Sequence, residues 1–165
     1  MMRLTFWTGF WIFLLDQVSK YIVLYQIKLP SLPGQTYEVW PPLLTLRMAW
    51  NRGVNFGLFA NFDMRWALIV VALVISGFVI WWIRREQGIG RWGYISAGLL
   101  VGGALGNVVD RVLHGAVADF LNVSCCGINN PYAFNVADIS IFAGALGLVV
   151  FTGNDVPKKL SLIHI

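Results

Sequence analysis

Four aspartates in this chain, Asp16, Asp110, Asp119 and Asp138, stand among apolar neighbours. Two carboxylates that face each other in a poorly solvated site cannot both ionise easily, because like charges push one pKa up. The ionised member is then a base able to activate water, and the protonated member an acid able to polarise a carbonyl. A proton or cation path and a divalent-metal site are the alternatives for the same residues. Metal is the weakest of these, since His114 is the only nearby imidazole and no HExxH spacing occurs. A serine nucleophile has no support either: Gly-x-Ser-x-Gly is absent, and Ser19 and Lys20 are adjacent, so they do not share a helix face.

Each aspartate also has a structural explanation. Asp16 and Lys20 are four apart, about 40° around a helix, and an ion pair there makes a buried charge tolerable. Asn107 lies three before Asp110 and Asn135 three before Asp138. Each pair shares a helical face if the helix extends that far, and a carboxamide so placed can hold a carboxylate in one orientation. Asp119 could cap a short helix, and Asp138 could complement a helix dipole. The apolar residues around both, Val117, Ala118 and Phe120, then Phe134, Ile139 and Ile141, favour chemistry or ligand contact instead. The residues alone do not decide between Asp110 and Asp119.

The elements that must position these groups follow from composition. Of 165 residues, 58% are apolar and 12% charged, where a soluble domain carries roughly 25% charged residues. Too few polar groups are present to cover a soluble surface, so a soluble domain, a disordered chain and a disulfide scaffold are excluded. The apolar residues gather in four blocks, at about 4–25, 66–83, 93–109 and 132–152. Neither 66–83 nor 93–109 contains a charge, and both suit transmembrane helices. The first block is longer than the ~7–15 apolar residues of a secretory signal and no Ala-x-Ala follows it, so it reads as a retained helix. Gly98, Gly102 and Gly106 recur every fourth residue, which lets another helix backbone come close.

Orientation follows from Lys and Arg in the short connections. Arg84, Arg85 and Arg91 lie between the second and third blocks and Lys158 and Lys159 after the fourth, which places both termini in the cytoplasm. The net charge of +4 is explained by these inward segments, and no nucleic-acid partner is expected. Residues 26–65, with four prolines and alternating stretches around Val39 and Leu46, fit short strands at the outer surface. In this threading all four aspartates fall toward the outer leaflet, which speaks against a transport relay stepping through the bilayer. Cys125 and Cys126 are neighbours and are read as free thiols, as cysteines bonded elsewhere, or as loop filler, since adjacent cysteines bridge only with strain. The fold expected is an α-helical integral membrane protein, one membrane domain over residues 1–165, with four transmembrane helices and a small β-containing extracytoplasmic segment between the first two.

Five motifs occur in order: Asp16-Gln-Val-Ser-Lys20, Asn51-Arg-Gly-Val-Asn-Phe-Gly57, Gly102-Gly-Ala-Leu-Gly-Asn-Val-Val-Asp-Arg111, Val117-Ala-Asp-Phe120 and Phe134-Asn-Val-Ala-Asp138. Together, across about residues 12–150, they resemble the bacterial lipoprotein signal peptidases, the type II signal peptidases. The resemblance implies an intramembrane aspartic endopeptidase of the bacterial inner membrane, its site toward the extracytoplasmic face. Its substrates would be prolipoproteins, cut just before a cysteine that carries diacylglycerol. It implies Asp119 and Asp138 as the catalytic pair, with Asn107, Asp110, Arg111 and Asn135 supporting them. Asn51 and Gly53 fall near substrate, and Asp16 with Lys20 forms a structural pair. No metal or organic cofactor is implied; membrane lipids are the other partners, and the protein is expected to be a monomer. Ser124-Cys125-Cys126-Gly127 departs from the pattern and puts the shape of that outer flap in doubt.

Overall fold

The structure is a computed structural model that describes residues 1–53, 63–127 and 130–152. Four helices form: α1 (Met2–Tyr21), α2 (Met64–Arg85), α3 (Arg91–His114) and α4 (Val136–Thr152). Between them lie three strands, β1 (Thr36–Trp40), β2 (Leu44–Asn51) and β3 (Val117–Val123). The ends of the helices have local causes. Asp63 caps α2 by accepting from the Arg65 N–H at 3.1 Å, and Arg84 and Arg85 sit in its last turn, where the dipole favours cations. The third helix stops at Gly115, whose φ of 74° turns the chain into the left-handed region and straight into β3. By length and composition α2 and α3 can each cross a membrane, while α4 is a shorter apolar helix.

Helix α3 is the spine, with α1, α2 and α4 all packed on it. Small residues permit this: a Cβ on Gly102 would run into the Gly9 backbone of α1, and one on Gly144 of α4 would lie 2.6 Å from the Ser96 carbonyl of α3. Outward faces stay apolar, with Trp11 on α1, Val74 on α2 and Phe142 on α4 all exposed. In water such faces would be an aggregation liability; against lipid they are the expected solvent match.

Residues 26–65 do hold the two expected strands, but the third comes from Val117–Val123 and was not foreseen. The sheet order is β1-β2-β3, antiparallel throughout. Asp119 therefore lies on a strand, opposite Ala49, and caps no helix. The β2–β3 register shifts between Leu46 and Ala49, a bulge-like irregularity beside Asp119. Ala118 and Phe120 pack with Val23, Leu29, Leu46 and Met48; alternation along the strand then turns Asp119 to the opposite face. The backbone of Phe134 pairs with Leu121 through bonds of 2.8 and 3.0 Å, tying the lead-in of α4 to the free edge of β3. The flap also differs from expectation: Cys125 and Cys126 are joined by a disulfide at the turn that follows β3.

Candidate active site

Where α1, α3, β3 and the start of α4 meet, the polar residues form two connected groups. The first is centred on Lys20, which is buried and uses its ammonium on three partners: Asp16 Oδ2 at 2.7 Å, Asp110 Oδ2 at 2.8 Å and Asn107 Oδ1 at 3.2 Å. The Asp16–Lys20 pair is thus present, and helical spacing explains it. Asp110 was expected only as a supporting residue, and Lys20 is what holds it. The Arg111 guanidinium donates to the Asn107 carbonyl at 3.2 Å, and no ion pair to it is found among the described residues. Gln17 belongs to the same group and sequence reasoning passed over it. Its Nε2 lies 3.1 Å from Asp16 Oδ2 and 3.3 Å from Asp110 Oδ1. An uncharged amide within an apolar helix was the available signal. Gly106 makes room for the group: a Cβ there would stand 2.5 Å from Asp16 Oδ2.

This first group reaches the second through the backbone. Asp16 Oδ1 accepts from the Ala137 N–H at 3.0 Å, and Asp110 Oδ2 from the Ala118 N–H at 3.1 Å. Ala137 and Ala118 are the residues immediately before Asp138 and Asp119. One buried lysine with two carboxylates therefore anchors the chain one residue ahead of each member of the second pair.

In the second group Asn135 bridges the two aspartates. Its Nδ2 donates to Asp119 Oδ1 at 2.7 Å. Its Oδ1 accepts from the Asp138 N–H at 2.8 Å, while Asp138 Oδ2 accepts from the Asn135 N–H at 3.3 Å. That reciprocal arrangement is a capping box, so Asn135 stands ahead of α4 as its N-cap and not on a helical face with Asp138. The carboxamides also cross over relative to expectation: Asn107 donates to Asp138 Oδ1 at 2.9 Å, not to Asp110. Its orientation is forced, because its oxygen receives Lys20 and Asn135, leaving only the NH2 for the carboxylate.

Burial, with the Asp138 charge second, pushes the Asp119 carboxyl from its ordinary value near 3.8 up to about 6. Hydrogen bonds from Asn51 and Asn135 and the Lys20 charge pull the other way. Asn51 ends β2 opposite Val117 and also accepts from the Gly53 N–H at 3.0 Å. Gly53 takes a φ of 97° that a side chain would strain. The rest of that motif, positions 54–57, lies outside the described residues, as do Lys158 and Lys159. His114 lies against Trp50, with ring centroids 5.6 Å apart and the planes tilted by 43°. Among the described residues no three His, Cys, Asp or Glu side chains cluster as a metal site would require.

A profile of the family described as signal peptidase (SPase) II matches residues 9–153. The chain belongs to the signal peptidase II family. Among similar sequences, the lipoprotein signal peptidase of Methylobacterium sp. (strain 4-46) is 42% identical over 140 residues, 84% of this chain and 81% of that protein. The lipoprotein signal peptidase of Aeromonas hydrophila is 37% identical over 155 residues, 93% of this chain and 89% of that one. A bacterial membrane enzyme solved by the in meso method superposes with a TM-score of 0.77 at 25% identity, covering 95% of this chain and 92% of its own. Membership makes the protein a peptidase, and the exposed apolar helices agree with a membrane enzyme.

Proposed function

We propose that this member of the signal peptidase II family is an intramembrane aspartic endopeptidase. It removes the signal peptide of diacylglyceryl-modified prolipoproteins, cutting just before the lipidated cysteine. The observation that supports it most is the bridge made by Asn135, whose side chain donates to Asp119 and accepts from the Asp138 N–H, with no ion pair to either carboxylate among the described residues. The pair shares one proton and holds a water. The ionised carboxylate takes a proton from that water as it attacks the scissile carbonyl; the protonated carboxyl hydrogen-bonds the carbonyl oxygen and then passes a proton to the leaving amine. Asn107, Asn135, Asp110 and Arg111 position the pair, Asn51 and Gly53 lie toward substrate, and Asp16 with Lys20 is structural. All four helices span the bacterial inner membrane, both ends of the chain being cytoplasmic, and the protein acts as a monomer. The carboxylates then lie toward the outer leaflet, where acyl chains anchored in lipid hold the lipidated cysteine. Detergent-solubilised protein is expected to cut a diacylglyceryl-modified prolipoprotein and to leave the unmodified precursor intact; equal cutting of both would refute the lipid requirement.

A further inference from the structure

At the end of the bundle away from the carboxylates, α1 and α2 each pack on α3, and between them runs a channel of about 760 Å³. That volume falls within the roughly 300–1,000 Å³ of ligand pockets. Its walls are apolar, with Phe10 and Phe13 from α1, Ile80 from α2, and Val101 and Leu105 from α3. The charged residues lining it are Arg3, near the start of α1, and Arg84, near the end of α2. Both are exposed, and neither makes an ion pair among the described residues. From Arg3 to Phe13 is about 15 Å of helix, half of a hydrocarbon core of roughly 30 Å.

An apolar channel about one leaflet deep, with two arginines among its lining, is complementary to a phosphate that carries an acyl chain. Basic pockets between membrane helices hold anionic lipid heads, and the planar arginine fork suits phosphate oxygens. The same charges disfavour a signal peptide in this channel, because its amino-terminal region is itself positive. We propose that the channel seats an anionic glycerophospholipid, its phosphate between Arg3 and Arg84 and one acyl chain lying between α1 and α2.

Native mass spectrometry of the full-length protein, with palmitoyl-oleoyl phosphatidylglycerol or phosphatidylethanolamine added, tests the site. The wild type is expected to retain the anionic lipid on the order of tenfold better, and Arg3→Gln with Arg84→Gln to lose that preference. Leu105→Trp, which fills the channel and keeps both charges, should lose retention as well. Arg85→Gln should retain the lipid, since Arg85 lies over the Trp81 ring, 5.2 Å from its centroid, and not in the channel. Prolipoprotein cleavage by each variant checks that it has folded. Equal retention of the two lipids, or an unaltered preference in the double arginine variant, overturns the proposal. So does a loss in Arg85→Gln as large as in Arg84→Gln, which would mean adsorption to a basic surface. Unchanged retention in Leu105→Trp also overturns it, and displacement of the lipid by a synthetic signal peptide would assign the channel to substrate.

Discussion

Two pairs of carboxylates sit side by side in this molecule and differ in one respect. Asp16 and Asp110 have the Lys20 ammonium between them, at 2.7 and 2.8 Å; Asp119 and Asp138 are bridged by the neutral amide of Asn135. A cation between two carboxylates offsets their mutual repulsion and orients them as acceptors for backbone N–H groups. An amide supplies orientation but no charge at contact distance, and burial, with the Asp138 charge second, holds Asp119 near 6. The same residue type is structural in one pair and, in the function proposed above, reactive in the other, depending on what stands between.

The largest effect expected from breaking this contrast is on turnover. Asp119→Asn and Asp138→Asn keep the side chain's shape but replace one carboxylate oxygen by an NH2 that cannot serve as base or acid. Each should lower cleavage of a lipidated prolipoprotein by about 10²–10⁴-fold, as loss of general acid–base catalysis does, with the protein still folded. Near-normal turnover in either variant would sink the pair, and loss of the chemical step in Asp110→Asn with substrate binding intact would transfer the role. Next in size is Lys20→Met, which leaves two buried carboxylates without their cation. Removing one partner of a buried pair costs about 3–5 kcal/mol, so thermal unfolding in detergent should show a large loss. Asp110→Asn added to Lys20→Met should restore part of it, and wild-type stability in Lys20→Met would mean that the cluster does not hold the bundle.

The smallest effect sharpens the contrast most directly. Because folding raises the Asp119 pKa from near 3.8 to about 6, the folded protein binds that proton more tightly than the unfolded chain does. The stability so contributed is complete below about pH 4 and is lost as pH rises through about 6. Wild type should therefore lose stability relative to Asp119→Asn across that interval, and above it the variant should be the more stable. Parallel stability curves from pH 4 to pH 7 would show that Asp119 does not titrate upward.

The features legible in the sequence were those governed by short-range periodicity. Asp16 and Lys20 are one helical turn apart, the Gly98, Gly102 and Gly106 spacing marks a packed helix, and alternation around Val39 and Leu46 marks two strands. The third strand escaped because Val117 to Phe120 are all buried, which erases the polar alternation of a surface strand, and because its partner lies far back in sequence at β2. The ion pair of Lys20 with Asp110 joins two helices, and only the packing of α1 on α3 creates it. Asn135 carried a readable capping signature with Asp138, three residues on, but the apolar run before it suggested that the helix started earlier. The crossing of Asn107 to Asp138 joins two helices, and no single-helix period encodes it.

The bond between Asp16 and the Ala137 N–H spans 121 positions of the chain. As the polypeptide emerges, Asp16 and Lys20 are made well before the group that satisfies the remaining oxygen of Asp16. Until α4 joins the bundle, a carboxylate oxygen at its centre stays unsatisfied, and the same docking event delivers Asp138 to Asp119. Docking of α4 thus completes the buried cluster and brings Asp138 into the site proposed above in a single step.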